Sequence, residues 1–106
     1  MSEWITVDAV QNFPEASRRL IDLDGTMVIV FNLQGQYYAI EDICTHDGGD
    51  LSGGRVEGDA IICPRHGARF CIKTGEALTP PAFEDISTFA VRVENGLVQV
   101  RDTRWD

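Results

Sequence analysis

The chain has 106 residues, the size of one domain with a modest core. Its hydrophobic (43%) and charged (25%) fractions fit a globular protein, and no apolar run approaches the ~20 residues of a membrane span. A formal net charge of −8 argues against nucleic acid as a partner, because phosphate binding needs a basic footprint; it suits docking to basic protein surfaces.

Residues 1–8 lack the basic and apolar regions of a signal peptide, so a cytoplasmic location and no membrane contact are expected. Three cysteines are too few, and odd in number, for a disulfide scaffold. In a reducing compartment, metal binding is the better use for them.

In chain order, Trp4 to Val7 could be a first strand. Pro14 to Leu20 (PEASRRL) resembles a short helix. Thr26 to Leu33 (TMVIVFNL) is β-branched and apolar, Gln34-Gly35 is a turn, and Gln36 to Glu41 (QYYAIE) is the return strand of a hairpin. Short strands follow at Arg55 to Glu57, Ala60 to Ile62 and Arg69 to Lys73. Thr88 to Glu94 (TFAVRVE) and Leu97 to Arg101 (LVQVR) alternate in polarity around Asn95-Gly96, the strongest hairpin signal in the chain. Many short strands with regular turns predict an all-β fold, an antiparallel sandwich or small barrel.

The two histidines, and two of the three cysteines, fall in two short segments, Cys44-Thr45-His46 and Cys63-Pro64-Arg65-His66. The pattern is C-x-H, sixteen residues, C-x-x-H. Both segments follow candidate strands, and the glycines beside them let the backbone turn sharply near an inorganic centre. Pro64 removes one amide hydrogen and stiffens the second loop. Buried thiols and imidazoles without a metal are one reading of these residues, but two such pairs holding every histidine make coincidence a poor account. Two sulfurs and two nitrogens also suit tetrahedral zinc, although zinc knuckles usually pair cysteine with cysteine and histidine with histidine. The third reading is a two-iron, two-sulfide cluster, with two thiolates on one iron and two imidazoles on the other.

The segments CTHDGG and CPRHG resemble the two cluster loops of Rieske proteins. The resemblance covers most of the chain, including the segment GEALTPPA at 75–82, which is similar to the proline-bearing loop that covers the cluster in this family. It implies one Rieske-type 2Fe-2S cluster per chain. Cys44 and Cys63 would bind the buried iron, and His46 and His66 the iron nearest the surface. It also implies a single domain over 1–106, with a cluster-binding subdomain at about 42–84.

Respiratory Rieske proteins carry a further cysteine in each loop, joined as a disulfide; the matching positions here are Gly49 and Arg65. They also carry serine and tyrosine hydroxyls that donate to the cluster, where this chain has Ala68 and Phe70. Without those donors the reduction potential should lie near the low end of the Rieske range, about −150 mV. With no membrane anchor expected, these differences resemble the ferredoxins of bacterial aromatic-ring dioxygenase systems. The function implied is one-electron transport from a flavin-dependent ferredoxin reductase to a terminal oxygenase in aromatic hydrocarbon catabolism. The protein would not itself be an enzyme, and a monomer is expected. The alternatives are a Rieske-like small subunit of a nitrite reductase or other reductase complex, a redox helper to iron–sulfur assembly or another monooxygenase, and a zinc-stabilised interaction module.

Other residues carry less. Cys71 reads as a small filler on a strand. Asp47 and Asp50 could form an acidic rim or simply occupy turns. Arg65 and Arg69 could meet a partner's carboxylates or stand in solvent. Trp4 and Trp105 should pack an edge of the sandwich.

Overall fold

A computed structural model describes residues 3–104. Three two-residue turns organise its larger sheet. Asp24-Gly25, Gln34-Gly35 and Asn95-Gly96 all have positive φ at both residues, the primed geometry whose twist matches a right-handed β-hairpin. They join β2 (Arg18–Leu23) to β3 (Thr26–Leu33), β3 to β4 (Gln36–Glu41), and, after the three short strands described below, β8 (Thr88–Glu94) to β9 (Leu97–Arg101). With β1 (Ile5–Ala9) the antiparallel order is β1-β9-β8-β4-β3-β2. Its two edge strands approach each other, and Arg19 of β2 pairs with Asp8 of β1 at 3.0 Å. The sheet is thus a nearly closed barrel.

Strand β3 explains its own sequence. Along a strand, side chains alternate between the two faces. Val28 and Val30 point into one core with Phe13, Leu23, Ala39, Phe89, Val98 and Val100. Ile29 and Phe31 point the other way, into a second core with Ile40, Leu51, Ile61, Phe70, Ile72 and Ile86. Both faces are covered over residues 28–31, so that run is apolar throughout rather than alternating. Burying each valine, leucine, isoleucine or phenylalanine of these cores stabilises by ~1.5–3 kcal/mol.

The second core belongs to a small antiparallel sheet, order β5-β6-β7, made by β5 (Arg55–Glu57), β6 (Ala60–Ile62) and β7 (Arg69–Cys71). Arg18 ties this sheet to the barrel. Its guanidinium donates to the carbonyls of Ser52 and Gly54, both at 2.9 Å, and lies over the Phe31 ring.

The helix expected at Pro14 to Leu20 is absent. A 3-10 turn occupies Val10–Asn12 instead, and Arg18–Leu23 is strand. The buried Asn32 gives the physical reason. Its amide donates to Phe13 O at 2.8 Å, while its backbone exchanges hydrogen bonds with Ala16 and Ser17 at 3.0 Å. Ala16 takes φ 65° to allow this, and residues 18–23 pair in register with β3. Tertiary pairing here overrides a weak local helix preference. Three boundaries also move: β1 runs Ile5–Ala9 rather than Trp4 to Val7, and β7 stops at Cys71 rather than Lys73. The Trp4 ring packs under the guanidinium of Arg92, 4.3 Å away; Trp105 lies outside the described residues.

Candidate metal centre

Two loops form the site, and their backbones repeat the same hydrogen bonds. In the first, Cys44 N donates to Gly49 O and Gly48 N to Cys44 O, both at 2.7 Å. In the second, Cys63 N donates to Ala68 O at 2.8 Å and Gly67 N to Cys63 O at 3.0 Å. Gly48 and Gly67 both sit at φ 76°, a left-handed conformation that glycine adopts without the Cβ penalty. Cys44 is therefore equivalent to Cys63, and Gly48 to Gly67. The histidines are offset by one position: His46 matches Arg65, and Asp47 matches His66.

The cysteines lie inside. Cys44 and Cys63 are 0% and 1% exposed, and their sulfurs lie with a carboxylate oxygen of Asp47, all within 4.8 Å of one another. Two sulfurs on one tetrahedral ion at ~2.3 Å each stand about 3.8 Å apart, so the pair fits a shared metal. Burial pushes the Cys44 thiol up, the His46 backbone amide opposes that shift, and the neighbouring Cys63 reinforces it. A metal would displace the proton and relieve the cost of a buried thiolate. The histidines lie outside. Their rings meet edge to face with centroids 5.2 Å apart, and the His66 side chain is 56% exposed. Two inner sulfurs and two outer imidazoles from a loop pair fit a centre with one thiolate-held and one imidazole-held iron.

An ion pair crosses between the loops. Arg65 Nε donates to Asp47 Oδ2 at 2.6 Å and Nη2 to Oδ1 at 3.0 Å. The Arg65 guanidinium holds the Asp47 carboxyl well below its ordinary range, assisted by the Gly49 amide. Asp47 Oδ2 also lies 3.7 Å from His66 Nδ1.

Neighbouring residues fix both loops. Asp42 Oδ1 accepts from the amides of Leu51 and Ser52 at 2.7 and 2.9 Å, closing the first loop onto the end of β4. Thr45 Oγ1 donates to Glu84 O at 2.6 Å, and Thr79 Oγ1 accepts from Arg69 N at 3.1 Å. The segment around Pro80 and Pro81 is thereby tied to the first loop and to β7. Beyond it Phe83 is 84% exposed.

The structure gathers the four ligand candidates, Cys44, His46, Cys63 and His66, at one end of the small sheet. It revises the readings of the charged residues. Arg65 is engaged with Asp47, and Arg69 pairs with Glu57 at 2.9 Å. Cys71 is half-buried on β7, as a strand filler. Sequence reasoning misses the Asp47–Arg65 pair. Opposite charges at adjacent positions, offset by one, in two repeated loops are its only sequence signal.

The Rieske [2Fe-2S] domain family matches residues 3–90. The ferredoxin subunit of 3-phenylpropionate/cinnamic acid dioxygenase from Shigella flexneri serotype 5b (strain 8401) is 43% identical over 88 residues, 82% of each chain. The ferredoxin component of the naphthalene 1,2-dioxygenase/salicylate 5-hydroxylase systems of Ralstonia sp is 34% identical over 98 residues, covering 92% of this chain and 94% of that one. A chain in the complex of reduced oxygenase and oxidised ferredoxin of carbazole 1,9a-dioxygenase superposes with TM-score 0.86 at 35% identity, over 92% of this chain and 91% of that one. The chain belongs to the Rieske [2Fe-2S] family. Within it, this is a ferredoxin: an electron carrier with a Rieske-type cluster as cofactor, and not itself an enzyme. Among the described residues no helix is long and apolar enough to cross a membrane.

Proposed function

We propose that Cys44 and Cys63 hold the inner iron of the cluster and His46 and His66 the outer one, within a cluster-binding subdomain of about residues 42–84. The observation that carries this reading is the division of the site into buried thiols and exposed imidazoles. When bound, the cluster accepts and releases one electron at a time. The protein's part is to hold it rigidly, exclude water from the sulfur side and present the imidazole edges to a partner.

The electron would come from a flavin-dependent reductase and pass to a terminal oxygenase of the aromatic-ring dioxygenase type, in the cytoplasm. The likeness to ferredoxin components at 43% and 34% identity supports this over a nitrite reductase subunit. Net charge −8 supports docking to basic partner faces. The exposed Phe83, beside the loop tied to Thr45, offers an apolar contact there.

The test is stopped-flow reduction of the loaded protein by a ferredoxin reductase, followed by its reoxidation by a substrate-loaded terminal oxygenase of the dioxygenase type. Fast transfer in both steps, slowed by salt, is expected. Failure to transfer to any dioxygenase-type oxygenase, together with co-purification with a large reductase subunit, would favour the subunit reading.

A further inference from the structure

We infer that Asp47 and Arg65 act as a strap across the two ligand loops, and that their charges shift the reduction potential in opposite directions. The inference deepens the ligand assignment above and rests on it. The repeated loop backbone is its starting point. The third and fourth positions of the first loop are His46 and Asp47, and those of the second are Arg65 and His66. Each loop thus carries one imidazole and one charged side chain at these positions, in opposite order. The offset places Asp47 and Arg65 to meet across the site through a two-pronged contact of 2.6 and 3.0 Å. This geometry fixes direction as well as proximity, because a planar guanidinium matches a carboxylate with parallel hydrogen bonds.

Gly49 makes room for the strap. A β-carbon there would lie 2.5 Å from the guanidinium carbon of Arg65. The Gly49 amide also donates to Asp47 Oδ1 at 2.9 Å, orienting the carboxylate from its own loop. No covalent link joins the loops, since Cys44, Cys63 and Cys71 are all free. The ion pair ties them through side chains, beside the edge-to-face contact of His46 and His66.

The two charges lie beside the sulfurs. A carboxylate oxygen of Asp47 falls within 4.8 Å of both, and the Arg65 guanidinium is held against that carboxylate at 2.6 and 3.0 Å, two residues along the chain from Cys63. Reduction adds one negative charge to the centre. A nearby cation favours the reduced form and a nearby anion disfavours it. Arg65 therefore raises the potential and Asp47 lowers it. The two residues are positioning residues: neither needs to be a ligand.

The experiment measures reduction potentials of the loaded protein and its variants by film voltammetry at fixed ionic strength. Arg65→Gln should shift the reduction equilibrium about tenfold toward the oxidised form, 59 mV for a one-electron couple. Asp47→Asn should shift it toward the reduced form, and the double variant should return near the parent. A strap that only held the loops together would move both single variants the same way, so shifts of the same sign, or no shift, would overturn the inference. If neither neutral variant takes up the cluster, Arg65→Lys decides. It keeps the charge and loses the fork, so a potential within twofold of the parent's equilibrium supports the inference, and a larger shift or failure to load overturns it. A parent without a Rieske signal would refute the ligand assignment and this inference with it; a parent with that signal and same-signed variants would refute this inference alone.

Discussion

Gly54→Ala tests how the barrel, the first loop and the second loop are joined. Gly54 precedes β5, and its amide donates to Leu51 O at 2.8 Å while its carbonyl accepts from Arg18 at 2.9 Å. A β-carbon at this position would lie 2.1 Å from Ile62 O and 3.0 Å from Leu51 O. Ile62 immediately precedes Cys63, and Leu51 is fully buried at the end of the first loop. The clash is with backbone and cannot be relieved by a rotamer change. Overpacking of this kind costs ~1–3 kcal/mol, and a contact this short places it near the upper end. For a domain of about this size each kcal/mol moves the melting temperature by ~4–8 °C, so a fall of about 10–20 °C is expected. Gly53→Ala is the control, because nothing lies within 4 Å of its β-carbon. It should stay within ~0.5 kcal/mol of the parent. Thermal unfolding of the loaded proteins by far-ultraviolet circular dichroism reads both. A Gly54→Ala protein that melts like the parent, or a Gly53→Ala protein equally damaged, would refute the reasoning.

Two further outcomes rest on neighbouring contacts. Arg18→Met removes two charge-assisted bonds to Ser52 and Gly54 and should cost ~1–3 kcal/mol; hydrogen exchange should quicken at residues 51–54 while β8 and β9 stay protected, and uniform exchange across both sheets would contradict this. Acid should weaken the fold in a defined window. Arg69 holds the Glu57 carboxyl below its ordinary 4.5, and Arg104 holds Asp102 below 3.8. Their stabilisation is present above those values and is lost as pH falls through the lower folded-state values. Arg104→Gln should therefore lower stability at neutral pH and flatten the loss below about pH 4, where the unfolded carboxyls titrate; an unchanged acid slope in urea titrations would contradict the assignment.

Much of the site is legible in the amino-acid sequence, and the reasons are local. Asn95-Gly96 and Gln34-Gly35 set their hairpins through backbone conformation alone. The ligand loops carry paired thiols and imidazoles beside the glycines that their turns require. The short β5–β7 strands are legible because each is bounded by turn residues.

What stays hidden depends on contacts between distant segments. Asp24-Gly25 is as good a turn signal as Asn95-Gly96, but the helix-like residues before it conceal the strand it terminates. Only Asn32, on the neighbouring strand, shows why 13–17 cannot be helical. The Asp47–Arg65 strap requires knowing that the loops face each other with a one-residue offset in their histidines. Arg18 reaches from the barrel to residues 52 and 54, a contact of long sequence separation that no periodicity encodes.

The most direct test of the central claim is electron paramagnetic resonance of the dithionite-reduced protein after anaerobic iron–sulfide reconstitution. Two thiolates on one iron and two imidazoles on the other predict a red-brown protein, silent when oxidised and giving a low-average-g Rieske signal when reduced. A colourless protein that retains zinc at Cys44, His46, Cys63 and His66 would contradict the account.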